Sequence, residues 1–112
     1  MTIELPSPIA DYFHAANGED ADAVAACFTP TSRVHDEAHD GQGREAIRAW
    51  AADARRKYRF HAEPRSLEPA PGGGTVTAHV TGDFPGAPAD LRYRFEVEGE
   101  KVARLEITAG AA

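Results

Sequence analysis

The chain has 112 residues, 42% hydrophobic and 27% charged, which is enough for one globular domain and too few for two. Its formal net charge of -6 at pH 7 argues against nucleic acid or an anionic membrane as partner, since both attract basic surfaces. The single cysteine, Cys27, excludes an intrachain disulfide and fits a reducing cytoplasm. The N-terminus lacks a basic start and an apolar run, so we expect neither a signal peptide nor a membrane span.

Three helices are predicted in the first half of the chain. Residues 8–17 place apolar side chains at helical spacing, with Ser7 as a candidate N-cap and Asn17-Gly18 as a stop signal. Residues 21–28 repeat this spacing after Asp20, a natural N-cap. The longest helix is predicted over residues 44–58. Its arginines are expected to be mostly solvated, and its apolar face carries Ile47, Trp50, Ala51, Ala54 and Tyr58.

Strand-like patterns occupy most of the remaining sequence. A short strand is predicted at 32–37, followed by a glycine-containing turn at 38–43. After the third helix the pattern alternates, which predicts a meander of four strands at 59–68, 75–83, 91–98 and 102–108. Helices gathered on one side of a mostly antiparallel sheet define the α+β class. We therefore expect one domain over residues 1–112, a cone-shaped barrel with an apolar pocket between its three helices and its curved sheet.

The element order and several local motifs resemble the SnoaL-like and ketosteroid isomerase-like proteins of the nuclear transport factor two superfamily. The motifs that carry this resemblance are Tyr12 to Glu37, Gly43-Arg44-Glu45-Ala46-Ile47, and Tyr93-Arg94-Phe95 followed by the Gly99 hairpin. Members of this superfamily are usually dimers, and they include isomerases, aldol cyclases of polyketide pathways, dehydratases, hydrolases and non-catalytic binding modules. The resemblance therefore implies a fold and a homodimer that pairs through the sheet, and it does not decide the function.

The resemblance also implies two site residues. Tyr12 lies where the isomerases carry the tyrosine that donates to the developing oxyanion, and Asp36 lies where they carry the aspartate that acts as base. The isomerases carry a third group, a protonated aspartate, just before a Phe-Arg-Phe segment. The matching position here is Leu91 or Arg92, and the nearest acid is Asp90, which argues against steroid isomerisation itself.

The residues around this pair have structural alternatives. Tyr12 is as well explained as a core tyrosine, and Asp36 as part of a polar strand end. Apolar walls of the pocket are expected from Phe13, Phe28, Trp50 and Tyr58. His79 and Arg94 lie on strand faces opposite the apolar residues. Either face of a curved sheet can line the pocket, so these two residues belong to the pocket, to a dimer interface or to solvent.

The densest polar run in the sequence is His35-Asp36-Glu37-Ala38-His39-Asp40. It lacks the spacing of a helical zinc signature, and successive side chains of a strand face opposite ways, so we expect no metal and no cofactor. Two functions stay open. The first is an acid/base isomerase or cyclase acting on a small apolar carbonyl compound, with Asp36 as base and Tyr12, His79 or Arg94 as donor. The second is a non-catalytic module of the same fold that binds a small molecule or dimerises.

Overall fold

A computed structural model describes residues 4–18, 20–36, 39–84 and 86–109. Three helices, α1 (Ser7–Asn17), α2 (Ala21–Ala26) and α3 (Arg44–Tyr58), pack on a six-stranded sheet. The strands are β1 (Phe28–Asp36), β2 (His39–Gln42), β3 (His61–Ala70), β4 (Gly73–Thr81), β5 (Ala89–Glu98) and β6 (Lys101–Ala109). The α+β class and the meander from β3 to β6 are confirmed. None of the helices within the described ranges is long and apolar enough to cross a bilayer.

The helix boundaries follow the local signals with two corrections. Asp20 caps α2 as predicted, because its carboxylate accepts from the backbone N–H groups of Asp22 and Ala23. Ser7 does not cap α1, because Pro6 takes the N-cap position and Ser7 lies inside the first turn. The second helix ends at Ala26, two residues earlier than predicted, and the chain continues directly into β1.

The sheet is open, with strand order β2-β1-β6-β5-β4-β3. The β1 and β6 strands run parallel and every other pairing is antiparallel. The predicted turn at 38–43 instead contains β2, which forms a hairpin with β1. The hairpin leads into α3 through Gly43, whose φ of 87° is readily adopted only without a Cβ. The N–H of Gly43 donates to the carbonyl of Ser32 at 2.8 Å, which fixes the start of α3 against β1.

The core lies between the inner face of the sheet and the helices. On the inner face, Val34 of β1 pairs with Leu105 of β6, which pairs with Phe95 of β5. All three are buried, as are Ile9 of α1 and Ile47 of α3 above them. The hydrophobic residues of the sheet and the helices thus form one continuous cluster.

Arg55 of α3 is not solvated, in contrast to the expectation for the arginines of this helix. Its guanidinium donates to the carbonyls of Phe60, at 2.6 Å, and of Ala16, and it lies 4.4 Å from the centre of the Phe60 ring. It therefore joins the C-terminal ends of α1 and α3 at the start of β3. A basic run at a helix end satisfies the helix dipole equally well from solvent, so the pattern alone did not predict this contact.

Candidate functional site

Asp36 is the last residue of β1, and its side chain lies on the inner face of the sheet. It follows Val34 by two residues, and side chains two apart on a strand share a face. The indole N–H of Trp50, on α3, donates to Oδ2 of Asp36 at 3.2 Å. A half-buried carboxylate is thereby held between the end of β1 and the middle of α3.

Tyr12 approaches the same region from α1. Its side chain is only 2% exposed, and its ring packs edge-on against Phe13, Phe28 and Phe95, with centroid distances of 5.3 to 6.0 Å. Burial raises the pKa of Tyr12 well above its usual value, and the nearby Tyr93 and Asp36 raise it further. The phenol is therefore a neutral hydrogen-bond donor at physiological pH, close enough to Asp36 to interact electrostatically with it.

Tyr93 is a second phenol at this place, and sequence reasoning missed it as a site residue. It shares a face of β5 with Leu91 and Phe95, so its pattern is that of an ordinary inward-facing strand residue. It is 3% exposed, and its ring centroid lies 6.2 Å from that of Tyr12. Burial raises the pKa of Tyr93, and Asp36 raises it further. No local motif distinguishes such a tyrosine from a core residue.

His79 and Arg94 do not join this cluster. The buried residues of β4 are Val76, Ala78 and Val80, so His79 faces the outer side of the sheet. There Nδ1 of His79 lies 2.9 Å from Oδ1 of Asp90. Arg94 is exposed on the same outer face. His79 and Arg94 therefore both lie on the outer face of the sheet. Neither side chain lines the interior beside Asp36.

The expected apolar walls are only partly assembled around Asp36. Trp50 contacts it directly, whereas Phe28 belongs to β1 rather than to a helix and is fully buried in the core. Tyr58 packs edge-on against Phe84, at a centroid distance of 6.1 Å. It lies about 12 Å further along α3 than Trp50, from the helical rise per residue. An open depression of about 390 Å³ lies elsewhere, between α2 and α3, and is lined by Asp22, Ala25, Ala26, Arg44, Glu45 and Arg48.

The other polar groups of the predicted run face away from the core or lie outside the described residues. His35 pairs with Asp40 across the β1–β2 hairpin, and this hydrogen bond raises the pKa of His35. Glu37 and Ala38 lie outside the described residues. Across the described ranges, no three His, Cys, Asp or Glu side chains come together as a metal site would require. Cys27 is a packing residue: its thiol donates to the carbonyl of Ala23, and burial raises its pKa.

The site thus combines one carboxylate with three neutral donors from three separate elements. Asp36 is the group able to accept a proton, and the two phenols and the indole are able to donate hydrogen bonds. Proton abstraction beside a carbonyl requires such a combination, a base together with a donor for the developing oxyanion. The same arrangement also suits binding of a small polar ligand without chemistry.

Comparison with solved structures supports the fold closely. A provisionally assigned polyketide cyclase from Sinorhizobium meliloti is 36% identical, with a TM-score of 0.89, over 93% of this chain and 95% of that one. A ketosteroid isomerase-like protein from Catenulispora acidiphila, solved with trimethylamine, is 20% identical with a TM-score of 0.86, over 96% and 88%. TerC, co-crystallised with polyporic acid, is 12% identical with a TM-score of 0.80, over 92% and 88%.

No curated protein matches the sequence significantly. The family model of the SnoaL-like domain matches residues 9–105, which include all three helices apart from the start of α1 and nearly all of the sheet. This range also contains Tyr12, Asp36, Trp50 and Tyr93. The chain belongs to the SnoaL-like domain family.

Proposed function

We propose that the protein is an acid/base catalyst that enolises a small, largely apolar carbonyl compound, in an isomerisation or an aldol-type cyclisation. The observation that carries this proposal is the half-buried Asp36 carboxylate, which accepts from the Trp50 indole on the inner face of the sheet. This carboxylate lies within electrostatic range of the buried, neutral phenols of Tyr12 and Tyr93. The likeness to a provisionally assigned polyketide cyclase at 36% identity supports the same class of chemistry.

In the proposed reaction, Asp36 takes a proton from the carbon next to the carbonyl group. The electrons of the broken C–H bond form a C=C bond, and the carbonyl π electrons move onto oxygen. Tyr12 donates a hydrogen bond to this oxygen. Trp50 holds the carboxylate at a fixed position through its 3.2 Å hydrogen bond. Return of the proton at another carbon gives isomerisation. Attack of the enolate carbon on a second carbonyl forms a C–C bond and closes a ring; the π electrons of the attacked carbonyl move onto its oxygen, which takes the proton back from Asp36, and the first carbonyl is restored.

Deuterium exchange tests this step without knowledge of the natural substrate. A β,γ-unsaturated cyclic ketone and a linear β-diketone are incubated with the protein in D₂O, and exchange at the α-carbon is followed by NMR. Replacing a general base costs on the order of 10² to 10⁴ in rate, so Asp36→Asn should lose nearly all of the exchange above background. Asp53→Asn is the matched control, because Asp53 pairs with Arg56 and Lys57 on the surface of α3. Full exchange by Asp36→Asn would refute the proposal.

The second candidate function is binding of a small molecule without chemistry. Trimethylamine is bound by the Catenulispora neighbour, and a carboxylate beside an indole and two phenols suits a small ammonium ion. Trp50 is the only tryptophan and touches Asp36, so its fluorescence should report a ligand at this place. A fluorescence change with trimethylammonium, lost in Asp36→Asn and without exchange of any ketone tested, would favour this function over catalysis.

We further propose that the protein is a homodimer that pairs through the outer face of the sheet. This face is rich in polar and charged groups that either meet water or match a second copy: Thr77, His79, Arg92, Arg94 and Glu96. Sedimentation at micromolar concentration should show twice the mass of the chain. A monomer under these conditions would remove the proposal.

A further inference from the structure

We infer that Tyr93 is a third catalytic residue and the second oxyanion donor, which donates a hydrogen bond to the same substrate oxygen as Tyr12. This inference rests on the proposed enolisation by Asp36 and adds a residue to it. A carbonyl or enolate oxygen has lone pairs for two hydrogen bonds, and one phenol fills only one of them. Two neutral donors at one oxygen form an oxyanion hole of the kind that stabilises an enolate.

The register of the sheet brings Tyr93 to Asp36. Asp36 of β1 pairs with Ile107 of β6, and Ile107 pairs with Tyr93 of β5. The two residues therefore lie in one row across the inner face, two strands apart. Neighbouring strands are about 4.8 Å apart, so their backbones are separated by about 10 Å. Asp36 raises the pKa of Tyr93, so the phenol lies within electrostatic range of the carboxylate, on the same inner face.

Tyr12 reaches the same place from the helix layer. The ring centroids of Tyr12 and Tyr93 are 6.2 Å apart, with their planes inclined at 52°, and each phenol is affected by Asp36. The phenol of Tyr93 also raises the pKa of Tyr12. One donor thus comes from α1 and the other from β5, with the base at the end of β1.

The surrounding rings hold Tyr93 in place. Its ring packs edge-on against Phe13 at 4.9 Å and lies nearly parallel to that of Phe95 at 6.4 Å. A donor fixed by its packing needs no reorganisation when the negative charge forms, which is the condition for effective electrostatic stabilisation. The charge also balances. The enolate oxygen gains its negative charge as Asp36 becomes neutral, so the site carries one negative charge before and after the step.

Binding of 4-nitrophenolate, an analogue of the enolate, tests the inference. The protein is first changed to Asp36→Asn, because a neutral side chain mimics the protonated base and does not repel an anion. Into this background Tyr93→Phe, Tyr12→Phe or Tyr58→Phe is introduced, and the Kd of each is measured from the phenolate absorbance. Tyr58 is the matched control, since its ring packs on Phe84 instead.

A hydrogen bond to a charged acceptor corresponds to roughly a tenfold to hundredfold change in Kd, so Tyr93→Phe and Tyr12→Phe should each weaken binding by about this factor. Tyr58→Phe should leave it unchanged. Unchanged binding in Tyr93→Phe together with weaker binding in Tyr12→Phe would overturn the assignment of Tyr93 and leave the proposed function standing. If the phenolate does not bind, or if neither change weakens it, the proposed function fails as well.

Proton NMR provides a measurement that does not depend on the folding of the Tyr93 variant. In the complex of Asp36→Asn with 4-nitrophenolate, two tyrosine hydroxyl protons should appear far downfield, one for each phenol that donates. A single such proton would overturn the inference.

Discussion

The buried phenols make the stability of the protein sensitive to alkaline pH. The folded state raises the pKa of both Tyr12 and Tyr93 above the usual value of 10.0. Their neutral forms are therefore favoured on folding. The resulting stability is fully present below about pH 10 and is lost as the pH rises through the folded pKa values, because only the unfolded chain ionises in that window.

The size of this loss follows from linkage. At about pH 11 an unfolded tyrosine gains about 1.4 kcal/mol by ionising, whereas a buried one with a much higher pKa gains almost nothing. Each phenol should therefore lower the free energy of unfolding by about 1.4 kcal/mol between about pH 9 and about pH 11. Urea unfolding, followed by the fluorescence of Trp50 at both pH values, measures it.

The Phe variants isolate each phenol. Tyr12→Phe and Tyr93→Phe should each remove one such contribution from the pH dependence, since phenylalanine does not titrate. The lysines titrate in the same range and are common to all variants, so only the difference from the parent protein is compared. If the gap in stability between the parent protein and Tyr12→Phe is the same at both pH values, Tyr12 titrates normally, and its role as a buried neutral donor is wrong.

Three further predictions concern packing and charge. Phe28→Ala should lower the free energy of unfolding by about 3–5 kcal/mol in a denaturant titration, because the ring is fully buried in the core. A much smaller loss would indicate that Phe28 lines a pocket, as the sequence predicted. Arg55→Ala should destabilise by about 2 kcal/mol through the lost hydrogen bonds and the Phe60 contact, and Arg55→Lys should not restore it; full stability with lysine would mean that charge alone matters. His35 should titrate by NMR above its usual pKa and shift down in Asp40→Asn. Its contribution to stability should be present below about pH 6.5 and lost as the pH rises through the raised value, and equal titration in both proteins would contradict this pair.

Where the sequence prediction failed, a local signal had more than one interpretation. Phe28 continues the helical spacing of Val24 and Ala25, yet α2 ends before it. This apolar spacing is compatible with a helix or with a buried strand. Phe28 pairs with Val102 of β6, so it belongs to the strand β1. The Asp40-Gly41 pair likewise predicts a turn. In the structure both residues belong to β2, because they pair with His35 and Val34 of β1.

Periodicity alone determined the helices, the meander and the α+β class, because each depends on side chains a few residues apart in the chain. It also determined that Val34 and Asp36 share a face and that Tyr12 lies on the buried stripe of α1. It did not determine which strands are neighbours. The parallel pairing of β1 with β6 is formed between segments some seventy residues apart, and packing of the whole core decides it. That pairing places Asp36 in one row with Tyr93, and the fold of the helices over the sheet brings Trp50 to the carboxylate and leaves His79 on the outer face.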